Sequence, residues 1–230
     1  MSIKEKLNSV KEIITQSAIE SGRSPHEIKL IAVSKKKPIE MIKEAISANQ
    51  IIFGENYVQE ALEKIKKIGK NQEIEWHFLG HLQKNKVKFC PGNFQWIHTL
   101  DSIELSQKIE SHCTSNNKIM NVLIQVNLSQ EDSKSGLKEL SDILKLAEKV
   151  SLCKSIKLRG LMSIPQPNLG EIKTRKIFEQ IRSWKDILQN EFKTTEISEL
   201  SIGMTTDYIW AIKEGATMIR LGTAIFGSRD

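Results

Sequence analysis

The hydrophobic positions of this chain change period repeatedly and in the same sense. Ile3, Leu7, Val10, Ile14 and Ala18 recur at steps of three and four, which predicts one apolar face of a helix that Gly22 ends. Ser24-Pro25-His26-Glu27 reads as a capping box with proline at the first helical position, hence a short turn of helix. From Lys29 onward, short apolar runs alternate with helix-period segments. The runs predict strands at 29–34, 51–53, 76–79, 96–99, 121–127, 156–162, 200–202 and 217–221. Helices are predicted between them, near 38–49, 58–65, 83–89, 102–112, 137–150, 171–189 and 206–214.

Eight strand-then-helix units predict an α/β fold, a single (β/α)8 TIM barrel. Val122-Leu123-Ile124-Gln125-Val126 and Thr217-Met218-Ile219 are near-continuous apolar runs, as parallel strands covered on both faces require. An open doubly wound sheet is the alternative, but the GxGxxG turn it would carry after the first strand is missing. No linker-like stretch divides the sequence. Residues 1–230 are therefore expected to form one domain, with 1–28 as a helical extension packed on the barrel.

Composition narrows the function. With 39% hydrophobic and 27% charged residues, the chain is an ordinary globular protein. The net charge of +6 is scattered along helices, without the basic stripe and interleaved aromatics of a nucleic-acid binder. Cys90, Cys113 and Cys153 are odd in number and lack CxxC spacing, which argues against a disulfide framework or a zinc site. No apolar run reaches the ~18 residues of a membrane span, and the N-terminus has no signal-like apolar region. The expectation is a cytoplasmic protein without metal.

Candidate chemistry gathers at the predicted strand ends, where the active sites of such barrels lie. The first strand, Ile31-Ala32-Val33-Ser34, stops on Lys35-Lys36-Lys37. Taken alone the run reads as a solvated turn. A lysine at the mouth of a buried strand is also costly to keep charged, and a depressed pKa makes its amine a nucleophile towards carbonyl compounds. The second strand ends at Asn56, which either orients a ligand or caps the following helix. His77 and His81 flank the end of the third and read as bases or as hydrogen-bonded packing elements. The sixth strand brings Met162. After the seventh come Ser201, Gly203, Met204 and Thr205, and in the eighth and after it Arg220, Gly222 and Thr223. Loops after strands seven and eight often bind phosphate in these barrels, since glycines let backbone N–H groups approach an anion. Arg220 reads as a rim arginine or as a donor to the same ligand.

A nucleophilic lysine, a phosphate cup and a cationic donor on three strands point to pyridoxal 5′-phosphate, which needs a Schiff-base lysine, a phosphate anchor and a partner for its ring nitrogen. An arginine partner keeps its own proton and leaves the ring weakly activated.

At these residues the sequence resembles the YggS/PROSC family of pyridoxal 5′-phosphate homeostasis proteins. The similarity spans the whole chain: Ala32-Val33-Ser34-Lys35, Phe53-Gly54-Glu55-Asn56-Tyr57-Val58-Gln59-Glu60, Trp76-His77-Phe78-Leu79-Gly80-His81-Leu82-Gln83, Arg159-Gly160-Leu161-Met162, Leu200-Ser201-Ile202-Gly203-Met204 and Arg220-Leu221-Gly222-Thr223-Ala224-Ile225-Phe226-Gly227. The resemblance implies a barrel like the N-terminal domain of alanine racemase, with Lys35 as the cofactor lysine. It implies Arg220 near the pyridine nitrogen and phosphate contacts from Ser201, Gly203, Met204, Gly222 and Thr223, to which the adjoining Thr205 is added. His77 and Met162 are candidate ring-side contacts. The family commonly has threonine after the cofactor lysine, where this chain has Lys36. Strand alternation keeps Lys35 on the face of Ile31 and Val33 and turns Lys36 away.

The resemblance further implies a role in vitamin B6 and amino-acid homeostasis without established turnover. A racemase of this fold takes its second base, a tyrosine, from a further β domain, and the chain ends at Asp230 soon after the eighth strand. The leading expectation is thus a monomeric carrier that exchanges the cofactor with pyridoxal-phosphate-dependent apoenzymes. A small racemase or lyase with His77, His81 or Tyr57 as base is the alternative. A nucleic-acid-binding regulator is the third and weakest.

Overall fold

The computed structural model describes residues 1–69, 73–128, 135–194 and 196–228. Eight strands pair in parallel and in chain order into a closed barrel, the last returning to the first. They are β1 (Lys29–Val33), β2 (Ile52–Glu55), β3 (Glu75–Phe78), β4 (Trp96–Leu100), β5 (Met120–Val126), β6 (Ile156–Ser163), β7 (Glu199–Ser201) and β8 (Met218–Leu221). The helices are α1 (Ile3–Glu20), α2 (Ile39–Ser47), α3 (Val58–Ile68), α4 (Ile103–Ser115), α5 (Leu140–Ser151), α6 (Glu171–Glu191), α7 (Tyr208–Lys213) and α8 (Thr223–Phe226). The expected barrel is present, and the last residue, Asp230, lies outside the described residues.

Local sequence accounts for the element ends. Ser2 and Glu5 form a capping box on α1, and Ser24 with Glu27 forms the second one read from sequence, over a 3-10 turn at Pro25–Glu27. The buried face of α1 (Ile3, Leu7, Val10, Ile14, Ala18) packs against α2, α7 and α8. Two predictions are corrected. The helix expected at 83–89 is reduced to a 3-10 turn at Val87–Phe89. Beyond β8, the Gly-Thr-Ala-Ile-Phe segment folds into the single turn of α8, which the sequence reading left without structure.

Strand alternation divides the side chains between two environments. Outward-facing Ala32, Phe53, Trp76, Phe78, Leu161, Leu200, Ile219 and Leu221 join the large core between sheet and helices. Inside the barrel Ile31, Leu79, Trp96, Leu123, Met162 and Met218 form a smaller cluster. The same interior layer carries the buried polar residues His77, His98, Ser201 and Arg220.

One buried ion cluster lies outside the barrel, beneath the β1–α2 turn. Lys64 of α3 is buried and its Nζ donates to Ser34 O at 2.7 Å, Glu55 Oε1 at 2.7 Å and Glu60 Oε1 at 2.5 Å. Ser34 Oγ also donates to Glu55 Oε1, at 2.6 Å, while Glu55 Oε2 is buried without a partner. Burial pushes the Glu55 carboxyl up, against the pull of Lys64. Removing one partner of such a pair strands the other. Lys64→Met is therefore expected to cost about 3–5 kcal/mol in urea unfolding, part of which Lys64→Met/Glu55→Gln should recover. A loss below ~1 kcal/mol would show that the cluster is structurally idle.

Candidate functional site

A cleft of about 300 Å³ opens at the C-terminal mouth of the barrel, lined from β1, β2, β3, β6, β8 and the turns that follow β7 and β8. Val33, Leu79 and Ile164 give it an apolar side. Lys35, Lys37 and Arg220 give it three cationic side chains, and no carboxylate among the described residues lines it. Thr205, Thr206 and Thr223 supply hydroxyls, those of Thr223 and Thr205 lying 3.1 Å apart. A lining of this kind has the charge to suit an anionic group and an apolar wall to cover the rest of a ligand.

Arg220 belongs to β8, whereas Lys35 and Lys37 stand in the turn segment beyond β1, which ends at Val33. Lys35 lines the cleft and is half-buried, whereas Lys36 is exposed. Lys36 adopts φ 58°, its N–H donates to Glu60 Oε1 at 2.5 Å, and its ammonium lies 5.9 Å from the Tyr57 ring centroid. Since Ser34 O accepts from Lys64, the peptides on both sides of Lys35 are tied to the buried cluster. Lys37 Nζ donates to Ser228 O at 2.7 Å. Just beyond β2, Asn56 reaches the lining with Gly80 packed against it: a Cβ at Gly80 would lie 2.1 Å from Asn56 O. The turn after β7 depends on Gly203 at φ 93°, and Met204 N–H donates to Asp207 Oδ1 at 2.6 Å.

Arg220 lies 5% exposed at the inner wall of the cleft. One terminal nitrogen donates to Ser201 Oγ at 2.6 Å and the other to Ser163 O at 2.9 Å. Burial pushes its pKa down to about 10 despite the opposing charge of Asp207, so it stays a cation at neutral pH.

The polar chain continues below it. His98 Nδ1 lies 2.9 Å from Ser201 Oγ, His98 Nε2 lies 2.7 Å from His77 Nδ1, and His77 Nε2 lies 2.6 Å from Glu75 Oε1. Burial holds both imidazoles below their ordinary value, His98 well below it, with the charges of Arg220 and Lys29 adding to the effect at His98.

Of the residues singled out from sequence, Lys35, Asn56, Met204, Thr205, Arg220, Gly222 and Thr223 line one cleft. Four others do not. Gly203 shapes the turn behind the lining. Ser201, expected beside a phosphate, is fully buried and its hydroxyl serves Arg220 and His98. His77, expected beside a ring, sits deeper in the barrel. Met162 is fully buried in the interior cluster, while Leu79 and Ile164 supply the apolar lining. His81 and Tyr57 border a neighbouring groove, His81 Nδ1 lying 3.2 Å from Ser135 Oγ. Sequence reasoning missed His98, Lys64, Lys37 and Thr206. His98 was within reach, since it stands two residues from Trp96 on a strand next to His77.

The alanine racemase N-terminal domain family matches residues 18–230. The chain is 42% identical over 231 residues to the pyridoxal phosphate homeostasis protein of Pasteurella multocida, covering 100% of this chain and 99% of that one. It is 41% identical over 233 residues to the protein of that name from Escherichia coli, covering 99% and 97%. The structure of PipY from Synechococcus elongatus with PLP bound superposes with a TM-score of 0.87 at 34% identity, covering 98% of this chain and all of that one. Alanine racemase of Clostridium difficile shares the fold, with a TM-score of 0.75 at 17% identity over 57% of its length. Fold and cleft thus define a barrel of the alanine racemase N-terminal-domain class. Within that class the chain belongs to the pyridoxal phosphate homeostasis protein family.

Histidine burial sets a pH dependence. An unfolded imidazole titrates near 6.5, and the folded ones stay neutral to lower pH. Below 6.5 the unfolded chain therefore binds more protons, and stability falls with pH by up to ~1.4 kcal/mol per pH unit for each histidine. In urea unfolding between pH 7 and pH 5, His98→Gln should lose stability less steeply than the parent. Parallel curves would contradict a neutral, buried His98.

Proposed function

We propose that this protein binds pyridoxal 5′-phosphate in the mouth of the barrel, holds it as a Schiff base on Lys35, and serves cofactor and amino-acid homeostasis without turning over a substrate. The observation that carries the reading is the lining: two lysines, a buried arginine and three threonines around an apolar wall, with no carboxylate among the described residues. The donor set fits the group. The primary amine of Lys35 condenses with the aldehyde and releases water. Arg220, locked by Ser201 and Ser163, presents a donor that keeps its proton to the ring nitrogen. Thr205, Thr206 and Thr223, with the backbone at Met204 and Gly222, receive the phosphate, and Val33, Leu79 and Ile164 cover the ring. The chemistry such a cofactor supplies is a reactive aldehyde on an electron-poor ring.

Two features favour holding over turnover. Among the described residues, the lining contains no imidazole, carboxylate or phenol to act as a second base; His77 lies inside the barrel, and Tyr57 and His81 border another groove. An arginine at the ring nitrogen also leaves the electron sink weak. The proposed setting is the cytoplasm, with a monomer passing the cofactor to apoenzymes that require it.

Borohydride reduction in the presence of pyridoxal 5′-phosphate, followed by peptide mapping, is expected to place the label on Lys35. Lys36→Ala should retain the label and Lys35→Ala should lose it. A label on Lys36 or Lys37 would overturn the assignment. Enzyme-like exchange of amino-acid α-protons in deuterated water would contradict the absence of turnover.

A further inference from the structure

The barrel interior contains a polar chain longer than the site requires. Its two ends have fixed roles: a guanidinium only donates and an ionised carboxylate only accepts. Between Arg220 and Glu75 the three intervening groups then have one consistent arrangement. Ser201 accepts from Arg220 and donates its hydroxyl proton to His98 Nδ1. His98 Nε2–H donates to His77 Nδ1, and His77 Nε2–H donates to Glu75 Oε1. Every proton is used once and both rings are neutral. With the proton on His98 Nδ1 instead, the Ser201 hydroxyl hydrogen must find another acceptor. His77 would then carry its proton on Nδ1 and face a carboxylate with a bare nitrogen. Reversal therefore demands an added proton.

We propose that His98 and His77 are positioning residues for Arg220, completing a one-way hydrogen-bond chain, Arg220–Ser201–His98–His77–Glu75, that fixes the guanidinium from the opposite mouth of the barrel. The chain rests on the cofactor reading only for its purpose, which is to hold the ring-nitrogen partner in place. Its lower end is built to stay ionised. Glu75 is half-buried at the N-terminal mouth; burial raises its carboxyl, and the His77 hydrogen bond with the charge of Lys29 more than offsets this, so it lies below the ordinary range. Lys29 of β1 also pairs with Glu199 of β7 at 2.9 Å and lies over the Trp96 ring of β4. Trp96 in turn stacks on His77 with ring centroids 5.4 Å apart and planes within 8°. At the upper end Asp207 is the charge facing Arg220.

Long-range proton–nitrogen NMR of the imidazoles in the full chain, without and with pyridoxal 5′-phosphate, tests the inference. At pH 7 both His77 and His98 are expected to be neutral with hydrogen on Nε2. Glu75→Ala should shift the resonances of both rings, including His98, which Glu75 does not touch. In equilibrium binding, His98→Leu is expected to raise the dissociation constant for pyridoxal 5′-phosphate about tenfold. His98→Gln, whose amide both accepts and donates, should restore most of the affinity. A proton on His98 Nδ1 at pH 7, or unchanged His98 resonances in Glu75→Ala, would overturn the proposal. Failure of the cofactor reading itself would appear separately, as no label on Lys35 in the parent protein, and the imidazole spectra without ligand would still decide the chain.

Discussion

A guanidinium buried at the axis of a barrel is the constraint around which this molecule is arranged. Arg220 is a cation with almost no solvent, and its direct partners are a hydroxyl and a carbonyl rather than a carboxylate. Removing such a charge from water costs several kcal/mol unless the surroundings supply dipoles. The interior accordingly departs from the branched apolar layers usual in such barrels and places serine and two histidines beneath the arginine. Each of these is itself a buried polar group that needs a partner, so the requirement passes down the axis until it reaches Glu75 at the mouth. Satisfying one buried charge thus determines the chemistry of a whole interior layer.

A second buried cation, Lys64, does comparable work on the outer side of the sheet. Its cluster with Glu55 and Glu60 grips the backbone before and after Lys35, by Ser34 O and the Lys36 N–H. Arg220 on β8 and Lys35 at the end of β1 come from adjacent, hydrogen-bonded strands. The backbone at Lys35 and the Arg220 guanidinium are therefore held by two separate polar systems on opposite faces of the sheet. A ligand bridging them meets a preorganised frame.

How much of this was legible in the sequence follows from which signals are local. The shift between strand and helix period marked all eight strands, and the turns after β7 and β8 singled out from sequence do line the cleft. Lys35 lines the cleft and Lys36 is exposed, but a turn and not strand alternation separates them, since β1 ends at Val33 and Lys36 adopts φ 58°. What escaped notice depends on registers between strands. His98 joins His77 only because β3 and β4 pair with His77 opposite Trp96, and Ser201 serves Arg220 and does not line the cleft, with β7 and β8 aligning Ser201 with Met218. Lys64 looked like one of many helix-face lysines; its burial depends on Glu55 and Ser34 arriving from two other elements. The helix expected at 83–89 shortened to a 3-10 turn, a choice between two helical forms that apolar spacing does not resolve.

The most direct measurement is a high-resolution crystal structure of the protein grown with pyridoxal 5′-phosphate. The account expects density continuous from Lys35 Nζ into the ligand, the ring nitrogen facing Arg220, and the phosphate among Thr205, Thr206, Gly222 and Thr223. Ser201 should still hold His98 and Arg220. A ligand joined to Lys36 or Lys37, or a Ser201 hydroxyl turned from His98 to the phosphate, would contradict it.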